Sequence, residues 1–276
     1  IGPGDEVVMA APVWPNIFSA VEVMGGVAVP VALDFAETGW HLDLERLFAA
    51  CGPRTRAIFL NSPGNPTGWT MGRDDMVALR DFARARGLWI IADEVYGRLT
   101  YEIDHAPSFL EIMEPDERLI VVNTFSKNWS MTGWRIGWVV APEALGQVYE
   151  NLIQFSTSGV ASFLQFGAAA AMRDGEPTIV AMRERCHIGR DIVCDALAEM
   201  PRVRFHRPPG AFYVFFAVDG EPDSRALALR LVDEAGVGLA PGSAFGLGGE
   251  GYLRLCFGAT HALLRRAMER LAPALR

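Results

Sequence analysis

The chain has 276 residues, 50% of them hydrophobic and 21% charged, and a formal net charge of −8. That length carries a full core for one large α/β domain, alone or with a smaller one beside it. The acidic balance contains no block of like charge and no bilayer-length apolar run, which excludes a nucleic-acid or membrane-surface patch and a membrane span. Cys51, Cys186, Cys194 and Cys256 are scattered without C-x-x-C spacing, so they read as reduced thiols of a cytoplasmic protein. His41, His105, His187, His206 and His261 are equally dispersed, and no metal site is expected.

The chain opens at Ile1 with a Gly-Pro-Gly-Asp turn that runs straight into a strand, Val7 to Ala10. This start is neither a signal peptide nor an initiating methionine, and the expectation is that further sequence precedes it. A helix over about Ile17 to Met24 ends at Gly25-Gly26, and Val27 to Leu33 is the next strand. Asp43 caps a helix through Ala50, Thr55 to Leu60 is a strand, and Asp74 to Arg86 is an amphipathic helix stopped by Gly87. Strands follow at Leu88 to Ala92, Leu119 to Val122 and Arg135 to Val140.

Strands alternating with helices at this spacing predict a mostly parallel sheet sandwiched by helices. After Pro142 the pattern changes to helices over Glu143 to Phe155, Ala161 to Met172 and Pro177 to Met200. Strands at Val203 to His206 and Phe212 to Val218, a helix from Ser224 to Ala235, strands at Val237 to Ala240 and Tyr252 to Cys256, and a helix from His261 to Leu271 complete the chain. The division expected is a large domain over residues 1–175 and a smaller C-terminal α/β domain over 176–276, joined by the long helix.

Ligands of parallel α/β sheets bind beyond the carboxyl ends of the strands. Three successive strands deliver polar groups there: Asn65 after the first, Asp93 and Tyr96 after the second, Lys127 after the third. Lys127 is the only lysine in the chain, every other basic side chain counted with it being arginine. A primary amine forms a Schiff base with a carbonyl, which a guanidinium does not do at ordinary pH. Taken singly, each residue has a plainer explanation: a stray surface lysine, a turn aspartate, a core-edge tyrosine, or an asparagine in a Pro-Gly-Asn-Pro turn.

These residues resemble the class I and II aminotransferases of pyridoxal-phosphate fold type I, and the resemblance runs from the first residue to the last helix. The stretch T-F-S-K-N-W-S-M-T-G-W-R-I-G is similar to that family's lysine site, with Thr124 where the family pattern has Gly or Ser. N-P-T-G around Asn65, A-D-E-V-Y around Asp93 and Tyr96, and Y-L-R-L-C-F-G around Arg254 follow in the family's order.

The resemblance implies a transaminase that moves the amino group of an L-amino acid to a 2-oxo acid through an aldimine of pyridoxal 5'-phosphate on Lys127. It implies that Asp93 meets the pyridine nitrogen, that Asn65 and Tyr96 meet the phenolic oxygen, and that Thr124, Ser126 and Arg135 hold the phosphate. Trp14 would stack on the ring and Arg254 would clamp the substrate carboxylate. Burial and the cation Arg135 should both lower the pKa of Lys127. Ser126 also fits a turn cap, Trp14 a core anchor, and Phe212 and Tyr213 either the site wall or an alternating strand core.

The family implies a homodimer, and its opening portion, which holds further phosphate donors, has no counterpart here; cofactor retention by this chain alone is expected to be weak. A carbon-sulfur lyase of the same fold, or an aminotransferase-like domain of a transcription regulator, are the alternatives. The amino acid used is left open.

Overall fold

The structure is a computed structural model and describes residues 1–275. The first part of the chain runs β1 (Glu6–Ala11), α1 (Asn16–Val23), β2 (Val27–Ala32), β3 (Asp34–Ala36), β4 (Gly39–His41), α2 (Leu44–Ala49) and β5 (Thr55–Asn61). It continues through α3 (Arg73–Arg86), β6 (Trp89–Asp93), β7 (Leu119–Thr124), α4 (Phe125–Asn128) and β8 (Gly137–Val140). Six of these strands form one sheet in the order β2-β1-β5-β6-β7-β8. The first five are parallel, and β8 returns antiparallel to β7. The mostly parallel sheet read from the alternation of strands and helices is therefore present, with one antiparallel edge.

Local chemistry accounts for the helix ends. The carboxylate of Asp43 accepts from the Arg46 backbone N–H at 3.1 Å and caps α2. Helix α3 carries Asp74 and Asp75 in its first turn and Arg84 and Arg86 in its last, matching the helix dipole. It stops at Gly87 in the left-handed conformation and buries Met76, Leu79 and Ala83 against the sheet.

The remainder runs α5 (Gly146–Ser156), α6 (Ser162–Asp174), α7 (Glu176–Ala198), β9 (Val203–Phe205), β10 (Tyr213–Val218) and α8 (Ser224–Ala235). It closes with β11 (Ala240–Pro241), β12 (Tyr252–Cys256) and α9 (His261–Leu275). Its four strands form an antiparallel sheet in the order β11-β12-β10-β9. Strand β10 is buried along its whole length, and its core includes Val214 and Phe216 with Leu197, Leu231, Leu264 and Leu271 from α7, α8 and α9.

Three local readings are corrected. Strand β8 starts at Gly137, not Arg135; Arg135 ends a 3-10 turn in the left-handed region at φ 52°. A Cβ on Gly137 would come within 2.6 Å of the Asn123 carbonyl oxygen, so close pairing with β7 requires glycine there. Of the expected Val237 to Ala240 strand only Ala240 pairs with β12, joined by Pro241 beyond it; Gly236, at φ 62°, closes α8, and Val237 N–H still donates to Leu231 O. The hairpin β3–β4 escaped the sequence reading because three-residue strands are too short to show an alternation. It places Trp40 5.1 Å from Tyr252 and 5.8 Å from Phe215, ring to ring, against the antiparallel sheet.

A short backbone seam joins the loop after β6 to the turn before β10. Ala211 N–H donates to Leu99 O at 2.9 Å, Tyr101 N–H donates to Pro209 O at 3.2 Å, and Thr100 bridges Gly210. Beneath it lies Arg190 of α7, 4% exposed, with its guanidinium 4.5 Å from the Tyr101 ring centroid and 2.6 Å from Glu102.

Candidate active site

Strands β5, β6 and β7 are neighbours, so their carboxyl ends open side by side. Asp93 is the last residue of β6, and its register partner on β5 is Asn61. Asn61 organises the turn that follows: its Nδ2 donates to Asp93 O at 3.1 Å while its Oδ1 accepts from Asn65 N–H at 2.8 Å. The turn thus carries Asn65 toward the cleft, where its Oδ1 accepts from Arg254 Nη1 at 2.8 Å. This bond unites a loop of the parallel sheet with β12 of the antiparallel one.

Asp93 and Glu94 diverge. The Glu94 carboxylate accepts from the Ser108 hydroxyl at 2.6 Å and from Phe109 N–H at 2.9 Å, which employs it as a cap for the following 3-10 turn. Asp93 accepts only a longer bond, 3.3 Å, from Val95 N–H. Burial pushes the Asp93 carboxyl up to about 6, against the opposing pull of the Val95 N–H and of the Lys127 charge. Such an acid is suited to a cationic partner in its cleft.

Lys127 lies on α4, directly after β7, and is half-buried. Its Nζ is 5.8 Å from the Tyr96 ring centroid and 6.0 Å from that of Phe212. Burial lowers its pKa most; Asp93 and Cys256 oppose this, while Arg135 and Arg254 add to it. The direction expected from the sequence therefore holds, with burial the larger cause and Arg135 a minor one.

Tyr96 is buried, its hydroxyl 3.2 Å from that of Tyr213. Arg254 sits in an aromatic frame: its Cζ is 4.5 Å from the Tyr213 ring centroid, 4.9 Å from Phe245 and 5.7 Å from Trp14. Trp14, in the loop after β1, is 43% exposed. Phe245 was missed in the sequence because it belongs to a 3-10 turn without periodicity. Tyr213, read from the sequence as either site wall or strand core, lies opposite Cys256 on β12, two residues from Arg254.

At the end of β7, the Thr124 hydroxyl accepts from Ser126 N–H at 3.1 Å and donates to Ile136 O at 3.2 Å. It caps α4 and ties it to the turn that carries Arg135. Ser126 is buried, whereas Arg135 is exposed and donates to Thr132 O at 2.8 Å. An acid, an amine, aromatic faces, hydroxyls and guanidinium groups together suit a flat, anionic organic ligand. Among the described residues no group of three or more His, Cys, Asp or Glu could hold a metal ion, and no helix is long and apolar enough to cross a membrane.

The α/β fold gathers this donor set between two sheets around one amine. The chain belongs to the aminotransferase class I and II family, whose model matches residues 1–271. It is 38% identical to the arginine–pyruvate transaminase of Pseudomonas aeruginosa over 99% of this chain and 69% of that protein. It is 34% identical to an aspartate aminotransferase of Thermotoga maritima over 98% of this chain and 69% of that one. Among solved structures, the aromatic aminotransferase of Pyrococcus horikoshii superposes with a TM-score of 0.94 at 33% identity, covering 100% of this chain and 74% of that one. The chain is accordingly a transaminase of fold type I.

Proposed function

We propose that the protein transfers the amino group of an L-amino acid to a 2-oxo acid with pyridoxal 5'-phosphate as cofactor and Lys127 as its essential amine. The observation that carries this reading is the convergence of Lys127, Asp93, Tyr96, Asn65 and Arg254 at one cleft. When bound, pyridoxal phosphate supplies an aldehyde for amine exchange and a ring that takes up the electrons left on the substrate Cα.

Lys127 is the amine that would hold the aldehyde and, freed by the substrate amine, would carry the proton lost from the substrate Cα. That role needs a neutral amine near pH 7, and the lowered pKa of Lys127 supports it. Asp93 would pair with the pyridine N–H and keep it protonated. Asn65 and Tyr96 would donate to the phenolic oxygen, Trp14 would pack on the ring, and Thr124, Ser126 and Arg135 would hold the phosphate.

Arg254 binds the substrate α-carboxylate. Its Nε is buried without a partner while its Nη1 is fixed by Asn65, which leaves donors for a carboxylate. The relatives are named for arginine, aspartate and aromatic amino acids, whose common part is the α-amino acid head. The groups assigned here therefore address that head, and side-chain selection is carried elsewhere.

The same reading divides the chain into a cofactor domain over 1–175 and a small domain over 176–276, linked by α7. It includes a homodimer, supported by the exposed apolar side chains Phe155, Phe163 and Phe166 on α5 and α6, and a cytoplasmic setting, supported by four free cysteines.

The test is an absorbance spectrum of the protein with pyridoxal phosphate, borohydride reduction and peptide mapping, followed by an assay of amine transfer to 2-oxo acids. A visible band, label on Lys127 and a new amino acid are expected. Label confined to the N-terminal amine, with no amine transfer, would sink the reading.

A further inference from the structure

The pair Tyr96–Tyr213 stands between the two sheets, and packing does not account for it. Both rings are buried, at 3% and 7% exposure, and their hydroxyls are each other's partner at 3.2 Å. Two Phe side chains would fill the same volume without the need to satisfy two buried hydroxyls. A hydroxyl has one proton, so in such a pair one member donates and the other accepts, and the acceptor's own proton is left for a third group.

The surroundings decide the direction. The Arg254 guanidinium lies 4.5 Å from the Tyr213 ring centroid, where a cation stabilises the phenolate and makes that hydroxyl the stronger acid. Arg254 also acts on Tyr96, but not from over its ring; the cation over that ring is Lys127 Nζ, farther off at 5.8 Å, and the carboxylate of Asp93 opposes both. The stronger acid is the better donor, so Tyr213 gives its proton to Tyr96. Phe212, edge-on to Tyr96 at 5.3 Å, offers no competing polar atom.

We propose that Tyr213 is a positioning residue: its hydroxyl donates to Tyr96 and thereby directs the Tyr96 proton to the phenolic oxygen of the bound cofactor. The inference rests on the cofactor reading given above and adds a residue to it. Because Tyr213 also stacks under Arg254, the group that binds substrate carboxylate and the group that tunes the cofactor share one side chain. A donor at the phenolic oxygen favours its ionised form, so a weaker donor raises the pH at which the visible band changes.

The experiment is a spectral pH titration of the protein saturated with pyridoxal phosphate, carried out on the wild type, Tyr213→Phe, Tyr96→Phe and the double variant. Tyr213→Phe keeps the ring and its contact with Arg254 and removes one oxygen; thermal unfolding of each variant confirms folding. The expected result is a midpoint raised by roughly half to one pH unit in Tyr213→Phe, the size of one hydrogen bond. Tyr96→Phe should raise it further, and Tyr213→Phe should add nothing once Tyr96 is gone. An unchanged midpoint in Tyr213→Phe, or the same increment with and without the Tyr96 hydroxyl, overturns the inference and leaves the cofactor reading standing. A wild-type protein without any visible band overturns the cofactor reading and this inference with it.

Discussion

The two poles of the cleft are built differently. At one, groups from other elements hold the site: Arg254 binds the Asn65 side chain, Tyr213 the Tyr96 hydroxyl, and Asn61 the backbone of Asp93. At the other, Thr124 and Arg135 bond only within their own loop, to Ser126 N–H, Ile136 O and Thr132 O. Exposed apolar side chains surround that second pole, Trp134 at 41%, Val139 at 45% and Val140 at 39%. The first pole is fixed by long-range bonds before any ligand arrives; the second is fixed by a local turn. Substitutions at the first should therefore damage chemistry and substrate binding, and those at the second should chiefly weaken cofactor affinity.

The sharpest contrast comes from Lys127. Lys127→Ala should lower kcat by at least about 10⁴-fold, and Lys127→Arg should not restore it, because a guanidinium does not act as base or nucleophile at neutral pH. Single-turnover assays with cofactor at saturation check this; activity within tenfold of wild type would break the assignment.

Asp93→Asn should cost about 10²- to 10⁴-fold in kcat and yet stabilise the cofactor-free protein. The Asp93 carboxyl titrates at about 6 in the folded protein against an ordinary 3.8. Between those values the folded state holds more protons than the unfolded chain, so the contribution of Asp93 to stability falls as pH rises from about 4 to about 6, then stays constant. Unfolding curves without cofactor should show Asp93→Asn ahead by up to about 3 kcal/mol at pH 8, the gap closing toward pH 4. A gap that widens on acidification would refute the burial argument.

Arg254→Lys removes the forked donor pair and the bond to Asn65. It should raise KM for the amino acid by roughly ten- to a hundredfold while lowering kcat less, as for the loss of one charged hydrogen bond or two. Equal losses in both parameters would place Arg254 in the chemical step.

At the second pole, Arg135→Gln should weaken pyridoxal phosphate binding by about tenfold with little effect on KM at saturating cofactor. Thr124→Ala should cost about 1 kcal/mol of stability through the lost cap of α4. Equilibrium dialysis and thermal unfolding measure these, and a large loss of kcat at saturating cofactor from either would erase the distinction between the poles.

Much of the first pole was legible because its residues punctuate strong strands. Asp93 and Lys127 follow apolar runs whose ends are unmistakable, and Gly87 and Asp43 mark helix ends by known chemistry. The partners that hold these residues were not legible. The Asn65–Arg254 bond spans 189 positions and the Tyr96–Tyr213 bond 117, separations across which no local pattern carries information. The left-handed turn at Arg135 was also hidden, since positive φ is uncommon in a residue other than glycine and nothing local marks it here.

The seam between Leu99–Tyr101 and Pro209–Ala211 has a mechanical meaning. Two bodies bonded along three consecutive residues can rotate about that line far more easily than they can part from it. Leu99 is three residues from Tyr96, and Ala211 is two from Tyr213, so the tyrosine pair lies close to the axle. Arg254, on the next strand over, is bound to the turn after β5. A swing of the antiparallel sheet about that line would therefore leave Tyr96 and Tyr213 almost in place and load the Arg254–Asn65 bond, another tie between the two sheets.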